Sequence, residues 1–304
     1  MEFTALRVII RSTNLGFSFM ECYSREEVPF CFFIHIPKTA GTTLRSIVDL
    51  QMGQSNVLTY YNQTNEHTLD NLNALLKDFR KSYKALIGHF DYGVHKNIDL
   101  PYTYISFIRE PVEMAISSYH ENLKTNRPEF RHPDGSAISL ETCIRQMPNR
   151  FSNQIIRKLG GYNKVDKISE EHLHSTVKKI EKDFCFVGIT EKFAESTLLL
   201  SKILGWPPCS YGSLNANIDK AVYSDEIMGN LAEINKLDSL LYRHIERQFI
   251  SPVSKQGTIF KSALKELVQQ NSLNFPHKNP RGEAVKFVNN DIQNIFDYFT
   301  SSNS

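Results

Sequence analysis

The chain of 304 residues has no excess of charge of one sign: 35 Lys and Arg stand against 33 Asp and Glu, a formal net charge of +2. This excludes the broad cationic field of a general nucleic-acid or membrane-surface binder, so any anionic partner must be recognised locally. Apolar runs are short. The longest, such as FCFFIHI at 30–36, fall far below the roughly 20 residues of a membrane-spanning helix. The opening MEFTALRVII meets Arg11 at once and lacks the basic, apolar, small-residue order of a signal peptide. A cytoplasmic protein is expected. Cysteine is scarce, at five residues with no CxxC spacing, which points to neither a disulfide framework nor a zinc site. There is no internal repeat, and 41% hydrophobic against 22% charged residues is the balance of a soluble globular protein.

Four β-type runs stand out: FCFFIHI (30–36), YKALIGHF (83–90), YTYISFI (102–108) and FCFVGIT (184–190). Helical patterns alternate with them at 42–52, 68–83, 111–124 and 193–204. Such alternation predicts βαβ units, an α/β fold with a largely parallel sheet covered on both faces. A long amphipathic helix is expected over 225–249, broken by SPVSKQG (251–257) and followed by a further helix, TIFKSALKELVQQ. The stretch TNRPEFRHPDGSAIS (125–139), with two prolines and a glycine, reads as a surface excursion.

The chemistry concentrates at two strand-to-helix junctions. In FFIHIPKTAGTTLRSIV a strand ends at Pro37 and a helix begins near Thr42, joined by Lys38, Thr39, Ala40 and Gly41. Small residues there let backbone N–H groups converge on an anion at a helix N-terminus. Thr42 and Thr43 add hydroxyls, and Lys38 adds a mobile point charge. The loop is not GxxxxGK[ST], because the lysine precedes its only glycine, and this disfavours nucleoside triphosphate chemistry. In YISFIREPVEMAISSYH, Arg109 ends a strand, Pro111 suits a first helical turn, and Ser117 lies two turns on. Arg109 can grip a phosphate as a bidentate fork while Ser117 donates to it. An ordinary βα turn with a Thr cap and a surface lysine is the bland alternative for the first junction, and local ion pairing of Arg109 for the second.

Together the two segments resemble the cofactor elements of sulfotransferases that use 3′-phosphoadenosine 5′-phosphosulfate (PAPS). HIPKTAGTTL is similar to the family's 5′-phosphosulfate loop, and REPVEMAISSYH to its 3′-phosphate element. The PKTA start is closest to the branch of heparan sulfate 2-O-sulfotransferase and its soluble bacterial relatives. IGHFDYG resembles the segment that carries the catalytic base, NQIIRKLGG (153–161) a downstream N-x-x-x-R-x-L-x-G element, and FVGITEKFAESTLLLSKILGW a late strand-helix. Met114 departs from the family, which usually has arginine there.

The resemblance implies a P-loop NTPase-like three-layer fold with a central, mainly parallel sheet flanked by helices. It divides the chain into an N-terminal extension (1–29), a sulfotransferase domain (30–250) and a C-terminal helical extension or tail (251–304). It implies sulfuryl transfer from PAPS, without a metal, to a hydroxyl of a carbohydrate or glycan-like acceptor. His89 is the expected general base, with Gly88 leaving room for substrate, and Lys38 the group that stabilises the leaving phosphate. The expected cofactor residues are Lys38, Thr39, Ala40, Gly41, Thr42, Thr43, Arg109 and Ser117. A Golgi-lumenal enzyme fits only if an anchor has been removed. His95 and His120 rank second as bases, and His35 reads as structural. Lys124, Arg127, Arg131, Arg145, Arg150 and Arg157 are candidates for a basic acceptor cleft. Two other readings stay open: a binder of a sulfated or phosphorylated ligand without turnover, and a small-molecule kinase.

Overall fold

The computed structural model describes residues 29–61, 83–98, 100–212, 221–255, 257–274 and 285–287. Its centre is a sheet of five strands, β1 (Phe30–Ile34), β2 (Val57–Tyr60), β3 (Ala85–Gly88), β4 (Tyr102–Ile108) and β5 (Phe184–Ile189), in the order β2-β3-β1-β4-β5. Every pairing is parallel. All of β1 and β3, and β4 after its first residue, are buried. Both sheet faces are therefore covered, which is why these strands are continuously apolar rather than alternating. The predicted strands at 30–36, 83–90, 102–108 and 184–190 each contain one of these. The edge strand β2, VLTY, is too short and mixed to stand out in the sequence.

Helices α1 (Gly41–Met52), α2 (Pro111–Lys124), α3 (Leu140–Gln146), α4 (Gln154–Gly160), α5 (Glu170–Asp183) and α6 (Phe193–Ile203) connect and cover the strands. The helix expected at 68–83 lies outside the described residues, apart from Tyr83. On α2, Val112, Ala115 and Tyr119 recur at helical spacing and join Phe130, Leu140, Cys143, Phe151 and Leu231 in a second hydrophobic cluster. Met114 points the other way, into the main core beneath the sheet. The excursion at 125–139 is mostly exposed but anchored by Phe130, which is fully buried. Removing such a ring costs about 3–5 kcal/mol.

The single helix expected over 225–249 is two: α7 (Asp225–Ile234) and α8 (Lys236–Lys255). Asn235 divides them with φ −108° and ψ 15°, and its buried amide oxygen accepts the backbone N–H of Asn153 at 2.9 Å. A tertiary hydrogen bond thus sets the break, which no local periodicity reports. The stop expected at 251–257 falls after Lys255, since Pro252 removes one backbone donor and leaves the turns around it helical. Beyond it α9 (Gly257–Asn274) contributes Phe260, Ala263 and Leu267 to the same core as the sheet. Two short strands, β6 (Cys209–Tyr211) and β7 (Val285–Phe287), pair antiparallel.

Candidate functional site

The carboxyl ends of β1, β3 and β4 lie side by side, the edge at which open α/β sheets hold ligands. After β1 the chain turns through Lys38 (φ 71°) and Ala40 (φ 60°), both left-handed, and Thr39 Oγ1 donates to the carbonyl of Ile36 at 2.7 Å to close the turn. No side chain caps α1 at Ala40, and its first turn holds no acidic residue. Gly41, Thr42 and Thr43 therefore open a helix whose positive end is not covered by a carboxylate, as an anion site requires. Thr43 is buried and Thr42 exposed. Lys38 Nζ stands 3.2 Å from Glu121 Oε2 on α2, a partner 83 residues away that no sequence pattern signals.

After β4, Arg109 donates through Nη1 to the carbonyl of Lys38 at 3.4 Å and pairs through Nη2 with Glu113 at 3.5 Å. The two junctions are thus in contact. The start of α2 is capped: Glu110 Oε2 accepts the N–H of Glu113 at 2.8 Å, and the Glu110 N–H donates to Glu191 Oε1 at 2.9 Å. Ser117 lies on the buried side of α2. Met114, where the family usually has arginine, is packed in the main core, and Arg109 keeps its contacts with Lys38 and Glu113.

His89 follows β3, with its N–H donating to the carbonyl of Tyr60 at 2.7 Å. Gly88 serves that close approach. A Cβ there would sit 1.9 Å from Tyr60 O, so the glycine makes room for the neighbouring strand and not for a substrate. Burial, with Lys158 nearby, lowers the pKa of His89 to about 4. Lys158, on α4, is held at 2.8 Å by Asp91, two residues beyond His89, and Asn163 donates to the same carboxylate oxygen. The sequence motifs contain both Asp91 and Lys158 without indicating that they meet. His89 is therefore neutral at neutral pH, the state a proton acceptor needs.

Several other candidates are committed elsewhere. Arg157 is almost fully buried and donates to the carbonyls of Ser152, Tyr162, Val165 and Asp166 and to Asn149 Oδ1, so it organises the turns around α4 instead of lining a cleft. Arg131 ties the 125–139 loop through the carbonyls of Leu123 and Gly135, and Arg150 pairs with Glu129 at 2.7 Å. Lys124, Arg127 and Arg145 are exposed. His95 stacks on Tyr102 and meets Tyr104 OH at 2.8 Å, while His120 meets Tyr223 OH at 2.9 Å. Among the described residues, no group of three or more His, Cys, Asp or Glu could hold a metal ion, and no helix is long and apolar enough to cross a membrane.

A parallel sheet whose carboxyl edge carries an open helix start, a lysine and an arginine defines an α/β protein with an anion-receiving edge. The profile of galactose-3-O-sulfotransferase matches residues 10–272, and the chain belongs to that family. It is 26% identical over 257 residues to the galactosylceramide sulfotransferase of Homo sapiens, covering 78% of this chain and 60% of the relative. It is 27% identical over 252 residues to galactose-3-O-sulfotransferase 3 of Mus musculus, covering 74% of this chain and 57% of the relative. The chain thus spans about 60% of the length of the curated relatives it matches. The crystal structure of a mouse sulfotransferase complexed with PAP aligns at a TM-score of 0.34 and 14% identity, over 70% of this chain and 65% of that one. The family shown is the galactose-3-O one; these matches do not extend to the narrower heparan sulfate 2-O branch.

Proposed function

We propose that this chain transfers a sulfuryl group from PAPS to a hydroxyl of a carbohydrate or glycolipid acceptor, most naturally a galactose-bearing one. The observation that carries the reading is the open start of α1 beside Lys38, in contact with Arg109 and on the same sheet edge as His89. That arrangement suits a ligand with two separate phosphate groups. The residues from Lys38 to Thr43 would hold the 5′-phosphosulfate, and Arg109 with Ser117 the 3′-phosphate.

His89 accepts the hydroxyl proton on an imidazole nitrogen as the acceptor oxygen bonds to sulfur. The bond from sulfur to the bridging phosphate oxygen breaks, and 3′,5′-adenosine bisphosphate departs. Lys38 Nζ, released from Glu121, neutralises charge growing on that oxygen and so favours the transition state over the ground state. The cytoplasmic setting expected from the sequence is part of the proposal, to be checked against a Golgi-lumenal one by cell fractionation. The PKTA loop keeps a heparan-type polysaccharide as a second acceptor to try.

Calorimetric titration with 3′,5′-adenosine bisphosphate, against ATP with magnesium, tests the cofactor class, and binding of ATP alone would return the loop to the kinases. Transfer of labelled sulfate to galactosylceramide, galactose-terminated glycans and heparan-type chains then identifies the acceptor. His89→Ala is expected to lower kcat about 10²–10⁴-fold with bisphosphate affinity nearly intact. Because its folded pKa is depressed, His89 stays a competent base as pH falls below 6.5. The acid limb of kcat/KM is expected near pH 4, and a limb at 6.5 would exclude His89 as the base.

A further inference from the structure

The register of β1 on β3 sets Ile34 beside Gly88, so the next residue of each chain is a histidine, His35 and His89. The His35 N–H donates to the carbonyl of Gly88 at 2.9 Å, and the two rings meet tilted, 4.6 Å between centroids at 62°. Tyr61 closes a third side, 5.4 Å from His35 and 5.0 Å from His89. On its opposite flank the His35 ring lies against the phosphate loop. A Cβ on Gly41 would stand 1.8 Å from His35 Nε2, and the three atoms nearest to it all belong to that imidazole. His35 Nδ1 is buried without a hydrogen-bond partner among the described residues. A polar ring is thus wedged between the first residue of α1 and the base.

We propose that His35 is a positioning residue that ties the placement of the phosphate loop to the orientation and burial of His89. The inference rests on the function proposed above for what the loop and the base do. The groups facing His89 are His35 just after β1, Tyr61 just after β2 with Arg45 over its ring, and Lys158 from α4 with its partner Asp91. Lys38 and His89 face His35, whose pKa burial lowers to about 3. The contact is therefore between two neutral imidazoles at neutral pH, held by shape and not by charge. Replacing the ring with a methyl opens the pocket to water, which favours the protonated form of His89.

The test has two arms. In the first, the imidazole Cε1–Hε1 signals of the unliganded chain are followed against pH by NMR, His89 being assigned by its loss in His89→Gln. In wild type His89 is expected to show no midpoint above pH 5; in His35→Ala the midpoint rises by at least one pH unit. His35→Gln serves where the alanine variant does not fold, with a smaller rise in the same direction. An unchanged His89 midpoint in the folded variant overturns the proposal. In the second arm, Gly41→Ala is expected to weaken 3′,5′-adenosine bisphosphate binding at least tenfold, and the double variant His35→Ala, Gly41→Ala to recover most of it. A loss that persists undiminished in the double variant also overturns it. If wild type binds no bisphosphate, the sulfotransferase reading falls while the NMR arm still decides the role of His35.

Discussion

The two strand-to-helix junctions at the carboxyl edge are built on the same plan and finished differently. At β1–α1 the helix start has no side-chain cap and no carboxylate, and two residues are held left-handed to make the turn. At β4–α2 proline occupies the first helical position, Glu110 caps the N-terminus, and Glu113 covers Arg109. On the function proposed above, the first junction leaves its stabilisation to be completed by an anion; the second completes its own and offers a side chain. An uncapped helix end is a cost to the free protein that a bound anion offsets, which is why α1 reads as the receiving end of the reacting group. Arg109, by contrast, is paired with Glu113, and on the function proposed above it leaves that carboxylate to bind, so that the second junction contributes affinity and register.

This contrast yields graded expectations. Among the junction residues Lys38→Ala is expected to have the largest effect, lowering kcat by about 10²–10³-fold with a smaller loss of bisphosphate affinity, because its charge matters most in the transition state. Steady-state kinetics beside calorimetry separates the two, and equal losses in both would erase the distinction between the junctions. Arg109→Ala is expected to weaken bisphosphate binding by about 1.5–3 kcal/mol, the range for hydrogen bonds to charged groups. Wild type binding adenosine 5′-phosphosulfate as tightly as PAPS would remove that role. Glu110→Ala is expected to lower unfolding stability by about 1 kcal/mol through the lost cap, read in a urea melt. Glu121→Gln comes last: freeing Lys38 from a partly exposed pair should tighten bisphosphate binding by about fivefold or less, since such pairs contribute about 0–1 kcal/mol.

Both strand-to-helix junctions were legible because each is encoded in about a dozen consecutive residues. The apolar run before Lys38 announces a buried parallel strand, and Pro111 after Arg109 announces a helix start. The histidine at the end of β3 was visible as a motif, but its neighbours were not. His35 meets His89 only through the register of β1 on β3, and Lys158 only through the return of α4. Glu121 faces Lys38 because α2 folds back over the first loop. The glycines illustrate the same limit: Gly88 and Gly41 are each required by a single tertiary neighbour, Tyr60 O and the His35 ring. Arg157, one of the candidates for a basic cleft, is occupied by backbone carbonyls and Asn149 Oδ1, which only the folded turn assembles.

One helix cap bears on how the protein comes to be made. Asp238, buried in the first turn of α8, accepts the N–H groups of Ile155 and Ile156 at 2.7 and 2.9 Å, and its own N–H is bound by Asn153 Oδ1 at 3.0 Å. The start of α4, the helix that brings Lys158 toward His89, is thus finished by residues synthesised more than eighty positions later. A nascent chain that has emerged only through β5 contains the five strands of the parallel sheet and both strand-to-helix junctions, yet not the partner that completes α4. The surroundings of His89 are in this sense completed late in the sequence: the sheet edge is encoded in the first two thirds of the chain, and the cap that finishes α4 in the last.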